Sequence, residues 1–237
     1  MLNKINSSFK VKLLIRIIIL VIITFGFISP LIFDGVPFES RYIMFTGLSN
    51  FAITIEYLLL IILMILKVDT TKKGIYVIRL ISTGSILLTF FVFGLLLTPV
   101  AVATKEYNPF TLTSFLQHFV NPILAVSEFL LLDPQKEKTK KVYSLAPLSL
   151  SIIYTICIEI RGLYINAPSL RTGGVHAKYP YFFFDPFFMG VWFEGGNLNV
   201  HYGVVPTITS LAILHLLICF ILVISKNTID KSYCKKH

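Results

Sequence analysis

Six stretches of this chain are each long enough to cross a bilayer as a helix, and that constrains its fold more than any other feature. A helix rises about 1.5 Å per residue and needs roughly 20 mostly apolar residues to span the hydrocarbon. Residues 13–33, 41–66, 76–103, 112–132, 142–164 and 205–225 reach that length. Backbone polar groups in lipid must be satisfied within their own segment, so runs of this kind are helices. The joins carry turn chemistry or charge: FDGVPFESR, KVDTTKKG, TKEYNPFT and DPQKEKTKK. The expected fold is all-α: a polytopic membrane protein, one domain over 1–237, built as a six-transmembrane-helix bundle with a long aromatic extracellular loop between the fifth and sixth helices. Composition agrees. The chain is 14% charged, against about 25% in soluble domains, and its mean hydropathy is +0.80.

The net charge of +9 would suit a nucleic-acid partner if it formed one patch. Instead the cations lie in short groups between the apolar runs, and no nucleic-acid module or phosphate-cradling glycine loop is present. Lys4, Lys10, Lys12 and Arg16 flank the first run; Lys67, Lys72, Lys73 and Arg79 surround the second join. Lys136, Lys138, Lys140 and Lys141 fill the fourth join, and Lys226, Lys231, Lys235 and Lys236 form the tail. Those 16 of the 21 basic residues fall on one side, leaving Arg41, Lys105, Arg161, Arg171 and Lys178 for the other. The positive-inside rule then puts both termini in the cytoplasm of a plasma-membrane protein. The first run is longer than the ~7–15 residues of a signal-peptide core and has no small-residue cleavage site, so it reads as a retained helix. Cys157, Cys219 and Cys234 form no disulfide framework and read as packing residues. The join 165–204, with KYPYFFFDPFFMGVWFEGG, reads as an interfacial loop or as a lid, Tyr179 to Trp192, over a cavity that opens outward.

The fourth run is unusual because it carries Gln117, His118, Asn121 and Glu128. An ionisable group in a spanning helix costs about 2.5–3.5 kcal/mol and usually faces the bundle interior. Counting from the helix ends, Thr46, His118 and Glu159 lie at nearly one depth, each roughly 7–9 Å inside the outer face. Thr46 and Asn50 share a helix face, as do Ser49 and Glu56. Ser114, Gln117, His118 and Asn121 make one stripe, which Glu128 continues inward, and Pro122 frees the carbonyl of His118. On this reading Glu128 is satisfied either as a protonated carboxyl or by a partner such as Arg79, and Glu56 is within reach of His215.

FTGLSN (Phe45–Asn50), HFVNP (His118–Pro122) and KYPYFFFD (Lys178–Asp185) occur in the order and helix context of a group of bacterial six-pass membrane proteins. That group is distantly similar to the androgen-induced membrane hydrolases, which cleave fatty acid esters of hydroxy fatty acids. The resemblance covers residues 41–215. It implies a threonine nucleophile at Thr46 and a histidine partner at His118, acting on a lipid or acyl-chain substrate. A hydroxyl needs an adjacent base to become a nucleophile, and an imidazole can serve near neutral pH. Glu159 would orient that imidazole, and Arg161, Asn50 or Asn121 would stabilise an oxyanion. Two further classes stay open: a small-solute or proton-coupled transporter using Glu56, His215 and Glu128 as a path, and a non-enzymatic lipid-binding scaffold. A polar cluster confined to the outer half favours the hydrolase; one continuous to the cytoplasm favours transport. No metal site and no cofactor are expected, since the five histidines lack ligand spacing. Protein partners are not legible in the sequence.

Overall fold

The computed structural model describes residues 5–6, 8–35, 40–105, 108–135, 137–163, 180–181, 184, 190–191, 201–202 and 204–234. Its elements are almost all helical. Helix α1 is Phe9–Phe33, its first turn capped by the Ser8 hydroxyl, which accepts from the Val11 N–H. After a one-turn segment, Ser40–Ile43, α2 runs Phe45–Ile65. Helix α3 runs Lys73–Val92, passes through a π turn at Phe93–Leu97 and resumes as Thr98–Thr104. Helix α4 follows the same plan: Leu112–Phe115, a π turn at Leu116–Val120, then Asn121–Leu131. A 3-10 turn at Lys141–Leu145 leads into α5, Leu148–Leu163, and α6 is the 31-residue helix Val204–Cys234. Among the described residues the strand pairing is Gly190–Val191 against His201–Tyr202, antiparallel.

The two π turns have one cause. Pro99 and Pro122 each lie two residues beyond a π turn, where they give no N–H and would press on the carbonyl four residues back. One extra residue in the turn relieves that crowding. The bonds accordingly skip five residues, from Thr98 N–H to the Phe93 carbonyl and from Asn121 N–H to the Leu116 carbonyl.

Among the described residues, five helices are long and apolar enough to cross a membrane: Phe9–Phe33, Phe45–Ile65, Lys73–Ala103, Lys141–Leu163 and Pro206–Tyr233. The expected fourth crossing, α4, is not among them, because the polar side chains on its inner face dilute its apolarity. The faces turned away from the bundle carry exposed Leu14, Ile18 and Val21 on α1, Ile55 and Ile62 on α2, and Ile213, Leu217 and Ile221 on α6. Spacings of three, four and seven residues put each set on one helix face, the pattern of a surface that meets lipid.

Helix α3 is central and packs against α2, α4, α5 and α6, while α1 closes the far side against α2 and α4. Close approach is needed at two glycines. A Cβ on Gly84 would stand 2.7 Å from Cys219 Sγ and 2.9 Å from Pro147, so α3 can meet α5 and α6 there only without a side chain. A Cβ on Gly26 would stand 2.5 Å from the Asn121 amide nitrogen.

The polar interior falls into two clusters. At the Arg16 end, Arg16 bonds Glu128 at 2.8 Å and pairs with Asp133, while Arg79 pairs with Glu128, with Glu56 at 3.3 Å and with Asp133 at 3.5 Å. Lys12 adds a contact to Asp133 at 3.0 Å, and Ser82 donates to Glu56. Burial works to raise the Asp133 carboxyl, but Arg16 and Arg79, with Lys12 behind them, overcome it and hold it well below the ordinary carboxylate range. The expected Glu128–Arg79 pairing is present. Glu56, in contrast, meets Arg79 and Ser82 rather than His215, whose Nδ1 instead lies 2.8 Å from the Ser151 hydroxyl. Arg16 and Arg79, read from the sequence as flanking charges, are fully buried. Lys226 is also buried; it donates to the carbonyls of Leu130 and Leu132 and closes the end of α4.

Candidate active site

The second polar cluster gathers at the other end, where α2 begins. Thr46 is the second residue of α2, and its Oγ1 lies 3.2 Å from His118 Nε2 on α4. His118 Nδ1 lies 2.8 Å from the carbonyl oxygen of Ser114, one turn earlier. A carbonyl can only accept, so Nδ1 carries the ring proton and Nε2 presents a lone pair. The Thr46 hydroxyl therefore donates to Nε2, the arrangement a hydroxyl nucleophile needs with its base. Phe93, in the π turn of α3, stacks flat on the imidazole with centroids 3.6 Å apart and planes within 10°. The two π turns thus supply both the base and the ring that fixes its plane. Short irregular turns of this type recur at functional sites.

The backbone of Thr46 is held in place by its neighbours. Ser49 Oγ donates to the Thr46 carbonyl at 3.1 Å and also meets Thr89 Oγ1 at 2.8 Å, tying α2 to α3. Asn50 Nδ2 donates to the same Thr46 carbonyl at 2.8 Å and to the Gln117 carbonyl at 3.3 Å. Asn121 Nδ2 donates to Asn50 Oδ1 at 2.7 Å and to the Ile23 carbonyl at 3.4 Å, and Gln117 Nε2 donates to the Gly26 carbonyl at 2.8 Å. Gly26 leaves room for that amide layer.

These bonds correct three expectations. The stripe on α4 does not face one cleft: His118 turns to Thr46, whereas Gln117 and Asn121 turn to α1 and α2 as interhelical ties. Asn50 and Asn121 are not oxyanion donors, since both hydrogens of each amide are already given to oxygens in the protein. The Nδ1 position that Glu159 was expected to hold is taken by the Ser114 carbonyl. Glu159 and Arg161 are half-buried on α5, and neither is among the described residues lining the cavity beside Thr46.

That cavity has a volume of about 260 Å³ and runs between α2, α3, α5 and α6. Its walls are apolar, with Leu88, Phe93, Tyr154 and Leu211 prominent, and Thr46 sits in the wall. Tyr181 and Phe184 line part of it; of the expected lid Tyr179–Trp192, only residues 180–181, 184 and 190–191 are among the described residues. Ile152 and Ile156 line the cavity and are also more than half exposed on the outer face of α5. One side of the cavity is therefore formed by residues that also reach the outer face of α5. Tyr154 fixes the junction: its hydroxyl donates to the Ile43 carbonyl at 2.8 Å and its ring meets Phe45 edge-on at 5.1 Å.

Among the described residues no group of three or more His, Cys, Asp or Glu side chains is placed to hold a metal ion. The residues that sequence reasoning missed are Ser114, whose backbone rather than side chain matters, and Phe93. A proline four residues after His118 was the available signal for a distorted turn there. No family model, no curated protein and no solved structure matches this chain.

Proposed function

We propose that the protein is a membrane-embedded lipid-ester hydrolase with Thr46 as nucleophile and His118 as general base. The observation that carries this reading is the 3.2 Å contact between Thr46 Oγ1 and His118 Nε2, with Nδ1 tied to the Ser114 carbonyl, at the wall of an apolar cavity. His118 takes the hydroxyl proton as Oγ1 attacks the ester carbonyl. The developing oxyanion has donors in the first turn of α2, where the N–H groups of Thr46 and Gly47 have no acceptor within the helix and the helix dipole favours negative charge. The imidazolium returns its proton to the leaving alkoxide, and water activated by the same imidazole releases the acid. At about 260 Å³ the cavity lies just under the usual ligand-pocket range, which suits a segment of acyl chain entering sideways past Ile152 and Ile156.

A second observation separates this reading from transport. Between the two polar clusters lies a layer of fully buried Ile23, Ile53, Ile86 and Ala125, one from each of α1 to α4. Ile53 falls midway between Asn50 and Glu56, and Ala125 between Asn121 and Glu128, so the layer is about one helical turn thick. On α3 buried Thr83 and Ser85 sit at the level of this layer, but among the described residues of α1 to α4 no ionisable side chain does, which fits a reaction site open to one leaflet better than a proton path.

Labelling with a fluorophosphonate tests the reading. Wild type reacts and both Thr46→Ala and His118→Ala lose the label. Labelling that persists in Thr46→Ala excludes it as the nucleophile. In the proposed orientation both termini are cytoplasmic, α4 makes the sixth crossing, and the site lies in the outer half of the plasma membrane. A cysteine placed at Lys138 is then shielded from an impermeant thiol reagent added to intact cells. Reaction at that position would invert the topology.

A further inference from the structure

The cavity holds hydroxyls that the Thr46 mechanism does not use. Ser151 and Thr155 are four residues apart on α5, hence on one face, and both line the cavity. Ser151 Oγ is 2.8 Å from Nδ1 of His215, which is fully buried on α6. The Thr155 hydroxyl stands in the cavity wall one turn from Ser151 and makes no hydrogen bond among the described residues. In an otherwise apolar space, an O–H without an acceptor is a cost that an occupant's oxygen would remove. His215 is an unsuitable base for a second nucleophile, because neither its hydrogen bond nor its packing brings a carboxylate to steady an imidazolium there; its part is to hold Ser151.

Depth follows from the packing. Gly84, Pro147 and Cys219 are level, since a Cβ at Gly84 would meet both of the others. Ser151, His215 and Leu88 are each four residues toward the Thr46 end from that level. Ser49 is level with Thr89 through their 2.8 Å contact, which sets Thr46, three residues further out, near Val92. Thr155, four residues beyond Ser151, reaches that same level. Thr155 thus lies across the cavity at the depth of Thr46, and Ser151 lies about 6 Å deeper. No charged side chain is among the described lining residues, so the oxygen received there is neutral; a carboxylate or phosphate would enter without a counter-charge.

We propose that the cavity takes a neutral lipid bearing two ester groups a few bonds apart, one ester presented to Thr46 and the other accepting from the Ser151–Thr155 hydroxyls. Esters on adjacent carbons of a glycerol have carbonyl carbons five bonds apart, at most about 6 Å, which matches the depth between Thr46 and Ser151. The proposal rests on the hydrolase reading for the first ester and adds the class of substrate.

The test uses the full chain in lipid nanodiscs with two substrates of equal acyl length, a diacylglycerol and a fatty acid methyl ester. Wild type prefers the diacylglycerol in kcat/KM by about tenfold or more, the loss expected when one buried hydrogen bond goes unmade. Ser151→Ala with Thr155→Val lowers diacylglycerol kcat/KM by about tenfold relative to the methyl-ester value measured on the same protein, which removes the preference, and Ser151→Thr restores part of it. A preference that survives the double variant, or an equal fall for both substrates, overturns the proposal. A second arm uses Thr46→Ala and reads displacement of a fluorescent diacylglycerol, so it needs no turnover. There the diacylglycerol competes better than the methyl ester, and the double variant removes the difference. Equal competition, or stronger competition by an anionic lysophosphatidate, overturns it. Absence of turnover in wild type with selective displacement intact would sink the hydrolase reading alone.

Discussion

Thr46→Ala and His118→Ala are each expected to lower ester turnover by about 10³-fold or more, and the double variant to be little worse than either single one. Members of a nucleophile–base pair act as a unit, so removing the second after the first takes away nothing further. Thr46→Ser keeps the hydroxyl on the same backbone position and is expected to retain activity within roughly tenfold, the loss reflecting a freer χ1 once the methyl group is gone. Steady-state kinetics on a panel of lipid esters reads all four proteins. Turnover above a tenth of wild type in either alanine variant would show that the 3.2 Å contact is a structural tie between α2 and α4. Variants of Asn50 or Asn121 belong to a different class. Their amides bind backbone carbonyls, so Asn121→Ala should lower stability, with activity falling only as folded protein is lost.

Arg79→Met is expected to destabilise the protein by about 3–5 kcal/mol, the usual cost of removing one partner from a buried ion cluster. Arg79 meets Glu56, Glu128 and Asp133, so its loss leaves three carboxylates with, among the described residues, Arg16 and Lys12 in contact and Lys226 further off. Lys12→Ala makes the contrast. Its side chain is 19% exposed and, among the described residues, pairs with Asp133 alone, so it should cost no more than about 1 kcal/mol. Reversible unfolding in detergent measures both, and an Arg79→Met protein within 1 kcal/mol of wild type would refute the assignment. The cluster also sets an acid limit. Asp133 has a folded-state pKa below its unfolded one, so its contribution is whole above the unfolded value, near 3.9, and is lost as pH falls below it. Asp133→Asn should make the acid side of the stability curve less steep.

The cations show what a count along the sequence leaves out. Counting them gave an orientation, because insertion responds to charge near a helix end whatever that charge later touches. Yet Arg16, Arg79 and Lys226 end up buried. Arg16 and Arg79 are neutralised by carboxylates on α2 and in and just after α4, and Lys226 by helix-end carbonyls and Asp230. None of those partners is near in sequence except Asp230. The resemblance pointed to Thr46 and His118 together, and the similar depths of the two residues supported it, since helical rise converts sequence position into depth.

What the sequence by itself determined is the set of apolar helices, the polar residues on their inner faces and the prolines that break α3 and α4. These depend on composition, periodicity and local sterics, which act over a few residues. Tertiary structure alone decided which polar groups meet. The rotation of each helix about its axis placed Gln117 and Asn121 against α1 and α2, gave Asn50 a backbone to hold and left Ser114 rather than Glu159 to orient His118. Those choices turn on contacts such as Gly26 against Asn121 and Gly84 against Cys219. Such contacts join residues about 95 and 135 positions apart, beyond the reach of any local pattern, because close packing and not periodicity selects among the rotations that a greasy helix surface allows.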